Sequence, residues 1–183
     1  MMPLPRWFYR YRGVILVPPL LLALLSVFRE TELEIIWPIG STIILLGIGI
    51  RILAQQHIHH RIKARQELTT TGLYSITRNP LYIANTLICL GAIMVSEEIW
   101  LIPFIFLYCC FLYSRVVRYE ETYLLKEYGE PYREYLSNVP RWFPKTLVFW
   151  NGGLFTPDFF HALVAELPGL LILVVYILKE IIM

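Results

Sequence analysis

Three short stretches of this chain carry side chains whose types and spacing suit chemistry. The first is Thr77-Arg78-Asn79-Pro80-Leu81-Tyr82, at the mouth of an apolar run. Asparagine is a good N-cap and proline suits the first helical position, so Asn79 and Pro80 are explained locally by starting a helix. A helix N-terminus also offers N–H groups to an anion, and Arg78 adds charge beside them. A carboxylate or phosphate suits that spot. The second stretch runs from Arg115 to Glu121. Arg118 and Glu121 are i,i+3 neighbours on a helix, as are Arg115 and Arg118. A salt-bridged helix exit accounts for this pattern. Yet Glu120 and Glu121 point in different directions, so one can pair with arginine while the other faces a pocket. The third stretch holds His57, His59 and His60. No two of them share the i,i+4 face of a helical metal site, and no acidic residue is interleaved. A basic stretch at a membrane surface is the better reading, and no metal site is expected.

The elements that position these residues are apolar helices. Hydrophobic residues make up 57% of the 183-residue chain and charged residues 16%. Soluble domains carry ~25% charged residues. The mean hydropathy of +0.57 agrees. The expected fold is an all-α integral membrane protein of about five transmembrane helices, two of them paired in a helical hairpin. The spans are expected near 14–28, 35–54, 81–96, 99–117 and 160–182. Pro18 and Pro19 kink the first or lie near its start. Gly40, Gly47 and Gly49 let a neighbouring helix come close to the second. Ser96-Glu97-Glu98 is too short for anything but a hairpin turn, and Glu166 and Pro168 interrupt the last span. The fourth helix is expected to run past the membrane surface to about Tyr128, where Gly129 stops it. A short helix then starts at Pro131, and the segment from Pro140 to Pro144 ends the unit. Cys89, Cys109 and Cys110 all lie in apolar runs without a Cys-x-x-Cys pattern, which suggests packing. The whole chain, 1–183, is read as a single membrane domain. It comprises two N-terminal spans (1–54), a core (55–144) and a C-terminal loop with an extra span (145–183).

Charge sets the expected topology. Arg6, Arg10 and Arg12 precede the first span; Arg61, Lys63, Arg65 and Arg78 follow the second; Arg118, Lys126, Arg133, Arg141 and Lys145 follow the fourth. The opposite loops are acidic, with Arg29 their one basic residue. The positive-inside rule puts the N-terminus, 55–80 and 118–160 in the cytosol. The N-terminal run is read as a retained helix behind an aromatic, basic anchor rather than a signal peptide. Both polar segments are tied to the same hairpin, so they must meet at the membrane surface. No glycine-rich nucleotide loop is present, and no nucleic-acid partner is expected.

In order, Gly72-Leu73-Tyr74, Arg78-Asn79-Pro80-Leu81-Tyr82, an apolar hairpin, Glu120-Glu121 and Gly129-x-x-Tyr132-x-x-Tyr135 form a specific set. It resembles the isoprenylcysteine carboxyl methyltransferase family and the related phospholipid methyltransferases, over roughly residues 60–144. The resemblance implies S-adenosylmethionine as methyl donor and a cytosolic pocket built from the two polar segments. By position it assigns cofactor contacts to Gln66, Glu67, Leu68, Thr69, Tyr74, Arg78, Asn79, Pro80, Leu81, Tyr82 and Glu120. The candidate catalytic residues are Arg115 and Arg118, which stand near the family's arginine position but out of register with it, and Glu121. The chain departs from the family pattern at four points. Asn79 stands for a histidine, Ala84 for a glycine, Gln66 for a histidine often found in the carboxyl methyltransferases, and Val116 for the arginine that positions substrate.

A sulfonium donor is already activated, so the enzyme mainly has to align nucleophile, methyl carbon and sulfur in a dry site. A carboxylate acceptor needs a placing cation, for which Arg115 and Arg118 are candidates. An amine acceptor needs a base such as Glu121 or a tyrosine. The expected acceptor is lipophilic or lipid-linked and enters from the bilayer among membrane lipids. The first alternative is a phospholipid or small-molecule N- or S-methyltransferase; beyond it stand an NADPH-dependent sterol-type reductase and a non-enzymatic membrane scaffold.

Overall fold

The computed structural model describes residues 35–65, 67–143, 153 and 155–167, with isolated positions at 18, 21, 170, 171, 174 and 178. Among the described residues the chain is helical and has no strand. The α-helices, in chain order, are α1 (Ile36–Arg65), α2 (Pro80–Val95), α3 (Ile102–Tyr128), α4 (Glu130–Asn138) and α5 (Phe159–Ala165). One-turn 3-10 helices sit at Gly72–Ser75 and Ile99–Leu101. The stretches Ile36–Ile58 and Ile99–Tyr128 are long and apolar enough to cross a membrane, and the apolar helix α2 is shorter. The span expected at 14–28, and the far half of the one expected at 160–182, lie almost wholly outside the described residues.

α1 continues eleven residues past 54, the expected end of the second span, through the polar stretch that follows it. No glycine or proline occurs between Ile50 and Thr71, so nothing in the backbone stops the helix where its polarity changes.

The chain divides into two compact units. The first comprises residues 1–47 and 85–127, and the second 48–84 and 128–183. In the first unit, α2 and α3 form the expected hairpin. The turn is closed by Ser96 N–H and Oγ, which donate to the Ala92 carbonyl at 3.0 and 2.9 Å. Glu97 takes a positive φ of 61°. α1 meets α2 through two glycines. A Cβ on Gly40 would stand 2.9 Å from the Gly91 carbonyl oxygen, and a Cβ on Gly91 would stand 2.7 Å from that of Gly40. Gly40 therefore does what its position suggested, whereas Gly49 faces open space. Cys89 and Cys109 are buried, as expected of packing residues, but Cys110 is exposed. On α3 and the 3-10 turn that leads into it, Trp100, Phe104, Leu107 and Phe111 follow helical spacing and are all more than half exposed. Such an uncovered apolar stripe fits lipid better than water.

In the second unit, α3 ends as expected. Gly129 adopts φ 61°, which breaks the helix, and Pro131 falls in the first turn of α4. α4 buries Tyr132 and Tyr135, one turn apart, and leaves Arg133 and Glu134 exposed.

Candidate functional site

The site is built on the turn that leads into α2. Gly72 starts it with φ +62°, a conformation that costs a side-chain-bearing residue ~1–2 kcal/mol. The His57 ring of α1 packs directly on the Gly72 Cα, where any Cβ would collide with the imidazole. Thr71 Oγ1 and His57 Nδ1 lie 3.4 Å apart. Ser75 Oγ donates to the Gly72 carbonyl at 2.7 Å. His57 is thus a buried prop beneath the turn.

The turn is clasped by α4 and the chain that follows it. Tyr135 OH donates to the Tyr74 carbonyl at 2.8 Å. Thr77 Oγ1 donates to the Trp142 carbonyl at 2.7 Å, Arg78 N–H to that of Pro140 at 3.0 Å, and Asn79 Nδ2 to that of Arg141 at 2.9 Å. The acceptors are open because α4 has ended: Pro140, Arg141 and Trp142 are not helical, and their carbonyls are free to face the turn. Asn79 does hold the position before Pro80, and its carbonyl accepts from Tyr82 and Ile83 N–H. Its side-chain amide, however, serves the clasp. The two polar segments therefore meet, as their shared attachment to the hairpin required.

Burial pushes the Tyr135 phenol above its ordinary range; Tyr132 adds to this and Arg78 opposes it. The folded protein then holds that proton more tightly than the unfolded chain, which releases it near pH ~10. Stability is accordingly present below that pH and is lost as pH rises beyond it. Tyr135→Phe should lower stability by ~0.5–1.5 kcal/mol for the lost hydrogen bond and flatten the alkaline fall. Unfolding midpoints of both proteins between pH 8 and 11 check this.

Tyr74, Asn79, Pro80 and Tyr82 are buried around this turn, and Leu68, Thr69, Arg78 and Leu81 are partly exposed. Glu67 is exposed, and Gln66 lies outside the described residues. The other predicted residues belong to α3 in the first unit. Arg115 lies 5.3 Å over the Phe111 ring, Arg118 is exposed, and Glu120 and Glu121 are partly exposed.

Two further attachments escaped the sequence reading. Gln56, fully buried, accepts the Thr156 N–H on its Oε1 at 2.8 Å. Arg51 Nε donates to Glu166 Oε2 at 2.9 Å. The signal was present in the second case: each is a charge within an apolar run, and such a residue needs a partner.

A family model for phospholipid methyltransferases matches residues 33–131, more than half of the chain. The chain belongs to this family. The matched segment holds the turn, the hairpin and the Glu120-Glu121 pair; the 132–142 half of the clasp and Glu166 lie beyond it. Among curated relatives, the nickel-cobalt-cadmium resistance protein NccN of Alcaligenes xylosoxydans xylosoxydans is 28% identical over 152 residues, covering 80% of this chain and 71% of NccN. The cobalt-zinc-cadmium resistance protein CzcN of Cupriavidus metallidurans is 28% identical over 114 residues, 61% of this chain and 52% of CzcN. Protein-S-isoprenylcysteine O-methyltransferase B of Arabidopsis thaliana is 35% identical over 114 residues, 57% of each chain. The chain thus spans about half the length of the last two. No solved structure matches it significantly.

Proposed function

We propose that this family member is a multi-pass membrane methyltransferase that takes its methyl group from S-adenosylmethionine and passes it to a lipophilic or lipid-linked acceptor. The observation that carries the reading is the clasp: four hydrogen bonds hold Tyr74, Thr77, Arg78 and Asn79 in one rigid turn at the start of an apolar helix. Rigid placement is what a methyl transfer demands of its protein. The residues fit the donor chemically. Tyr74 and Tyr82 supply aromatic faces of the kind that attract a cation, and the α2 N-terminus with Arg78 suits a carboxylate.

S-adenosylmethionine, when bound, supplies a methyl group on a positively charged sulfur. In this reading Tyr74, Asn79, Pro80, Leu81 and Tyr82 form its wall, with Gln66, Glu67, Leu68 and Thr69 as further contacts. Glu120 enters as a cofactor ligand on its motif alone, as do Arg115 and Arg118 as placing cations and Glu121 as a base. The basic loops support a cytosolic N-terminus and cofactor side, and the spans expected at 14–28 and 160–182 would complete five. The name of the Arabidopsis relative favours a lipid-linked carboxylate as one acceptor class.

The test is equilibrium binding of labelled S-adenosylmethionine to the purified protein and to Tyr82→Ala and Glu120→Ala. Each variant should bind at least ~10-fold more weakly, about 1.4 kcal/mol. A wild type that binds no donor overturns the reading, and two variants that bind as the wild type does overturn the site.

A further inference from the structure

Phe143 is 84% exposed, more than any other large apolar residue among the described ones. It follows directly on the three carbonyls, of Pro140, Arg141 and Trp142, that clasp the turn. The backbone there is committed to the turn, while the next ring is left uncovered. The clasp also fixes the depth of that ring. Its donors Thr77, Arg78 and Asn79 are the three residues before α2. The sixteen residues of α2 span about 24 Å, whereas the hydrocarbon core of a bilayer is ~30 Å thick. With the Ser96–Glu98 turn at the far surface, the mouth of α2 reaches no farther than the near edge of the hydrocarbon. The clasp and Phe143 then lie in the headgroup layer.

A second exposed aromatic group reaches the same layer by a separate attachment. Thr156 N–H donates to Gln56 Oε1 at 2.8 Å, and Gln56 stands two residues before Ile58, the polar end of the first apolar crossing stretch. Phe155 and Phe160, on either side of Thr156 in sequence, are 62% and 73% exposed, and both rings meet Phe159 edge-on. The chain leaves that apolar stretch at Ile58 and enters α2 at Pro80, so both attachments belong to one face of the membrane.

We infer that Phe143, with Phe155 and Phe160, inserts into the lipid headgroup layer, and that this insertion holds the clasp closed. Aromatic rings at the polar ends of spans favour that layer, where one side is apolar and the other wet. Arg141, partly exposed beside the Phe143 segment, complements the phosphates of the lipid. Phe143 is bonded to Trp142, so a ring anchored in lipid limits how far the Arg141 and Trp142 carbonyls can move from Asn79 and Thr77. The turn is then rigid in a bilayer and looser away from one. This coupling rests on the proposed placement of the turn at a membrane surface, and not on what the turn binds.

Two measurements on the full chain in phosphatidylcholine nanodiscs test it. Spin labels on Phe143→Cys and on Glu134→Cys, an exposed position of α4, are each carried on Cys110→Ser, which removes the exposed thiol. The ratio of collisions with oxygen to collisions with a water-soluble nickel chelate should be several-fold higher at 143 than at 134. A label at 143 as open to the chelate as the label at 134 overturns the insertion. A label shielded from both reagents means that protein, such as a second copy of this chain, covers the ring, and overturns it too. Amide exchange at Arg78, whose N–H donates to the Pro140 carbonyl, reads the clasp itself. Phe143→Ser should speed that exchange at least ~10-fold in the discs, and Phe143→Trp should exchange as the wild type does. Phe143→Ser exchanging at the wild-type rate overturns the coupling. Neither measurement uses S-adenosylmethionine, so the methyl-donor reading and the lipid anchor can each fail alone.

Discussion

Gly72→Ala should unfold the turn that carries the candidate site and abolish cofactor binding. Two costs fall on one atom. The backbone at φ +62° disfavours any Cβ by ~1–2 kcal/mol. The added methyl also lands on the His57 ring, and forcing an extra carbon into a packed position costs typically ~1–3 kcal/mol. His57 has little room to yield, because it is buried and its Nδ1 lies against Thr71 Oγ1. The sum, roughly 2–5 kcal/mol, is a large part of the ~5–15 kcal/mol that holds a typical protein folded. Adding His57→Ala removes the collision but not the backbone strain, so the double variant should recover only part of the loss. Thermal unfolding in detergent and labelled-donor binding on wild type, the single and the double variant check this. A single variant with wild-type stability would show that the imidazole does not support the turn.

The contrast between Gly72 and its surroundings shows what the sequence could carry. The end of α3 at Tyr128 and the start of α2 at Pro80 were legible, because glycine and proline mark helix boundaries through their own backbone chemistry. The hairpin was legible from the brevity of Ser96-Glu97-Glu98. The extension of α1 to Arg65 is not marked by polarity, which sets the limit of the span and not of the helix; it follows from the lack of a breaking residue between Ile50 and Thr71. The clasp was only half legible. That the two polar segments meet followed from topology, but the acceptors on 140–142 are backbone carbonyls, and no side chain announces them. Asn79 shows the same limit: its type fits a cap, and only the packed structure reveals that its amide reaches Arg141, 62 residues away. Glu166 read as an interruption of an apolar segment because its partner stands 115 residues earlier.

That partner sets the second large effect. Arg51→Leu should destabilise the protein by up to ~3–5 kcal/mol, because it leaves the buried Glu166 carboxylate with neither its donor nor water. Arg51 is one quarter exposed, so some solvent reaches the pair and the lower end of that range is expected. The sign of the double variant is the sharper test. Arg51→Leu with Glu166→Leu removes both charges from an apolar setting and places two well-matched side chains there. Replacements of that kind are often neutral or stabilising, so the double should return to within ~1 kcal/mol of wild type. The coupling energy from the four proteins then measures the pair. A single Arg51→Leu that unfolds at the wild-type midpoint would mean that Glu166 is held by other groups. A double variant as unstable as the single would mean that the charges organise the Thr156 and Gln56 attachment beside them rather than each other. In that case the C-terminal segment should also become open to protease cleavage near Thr156, which the wild type, with its Gln56 bond closed at 2.8 Å, should resist.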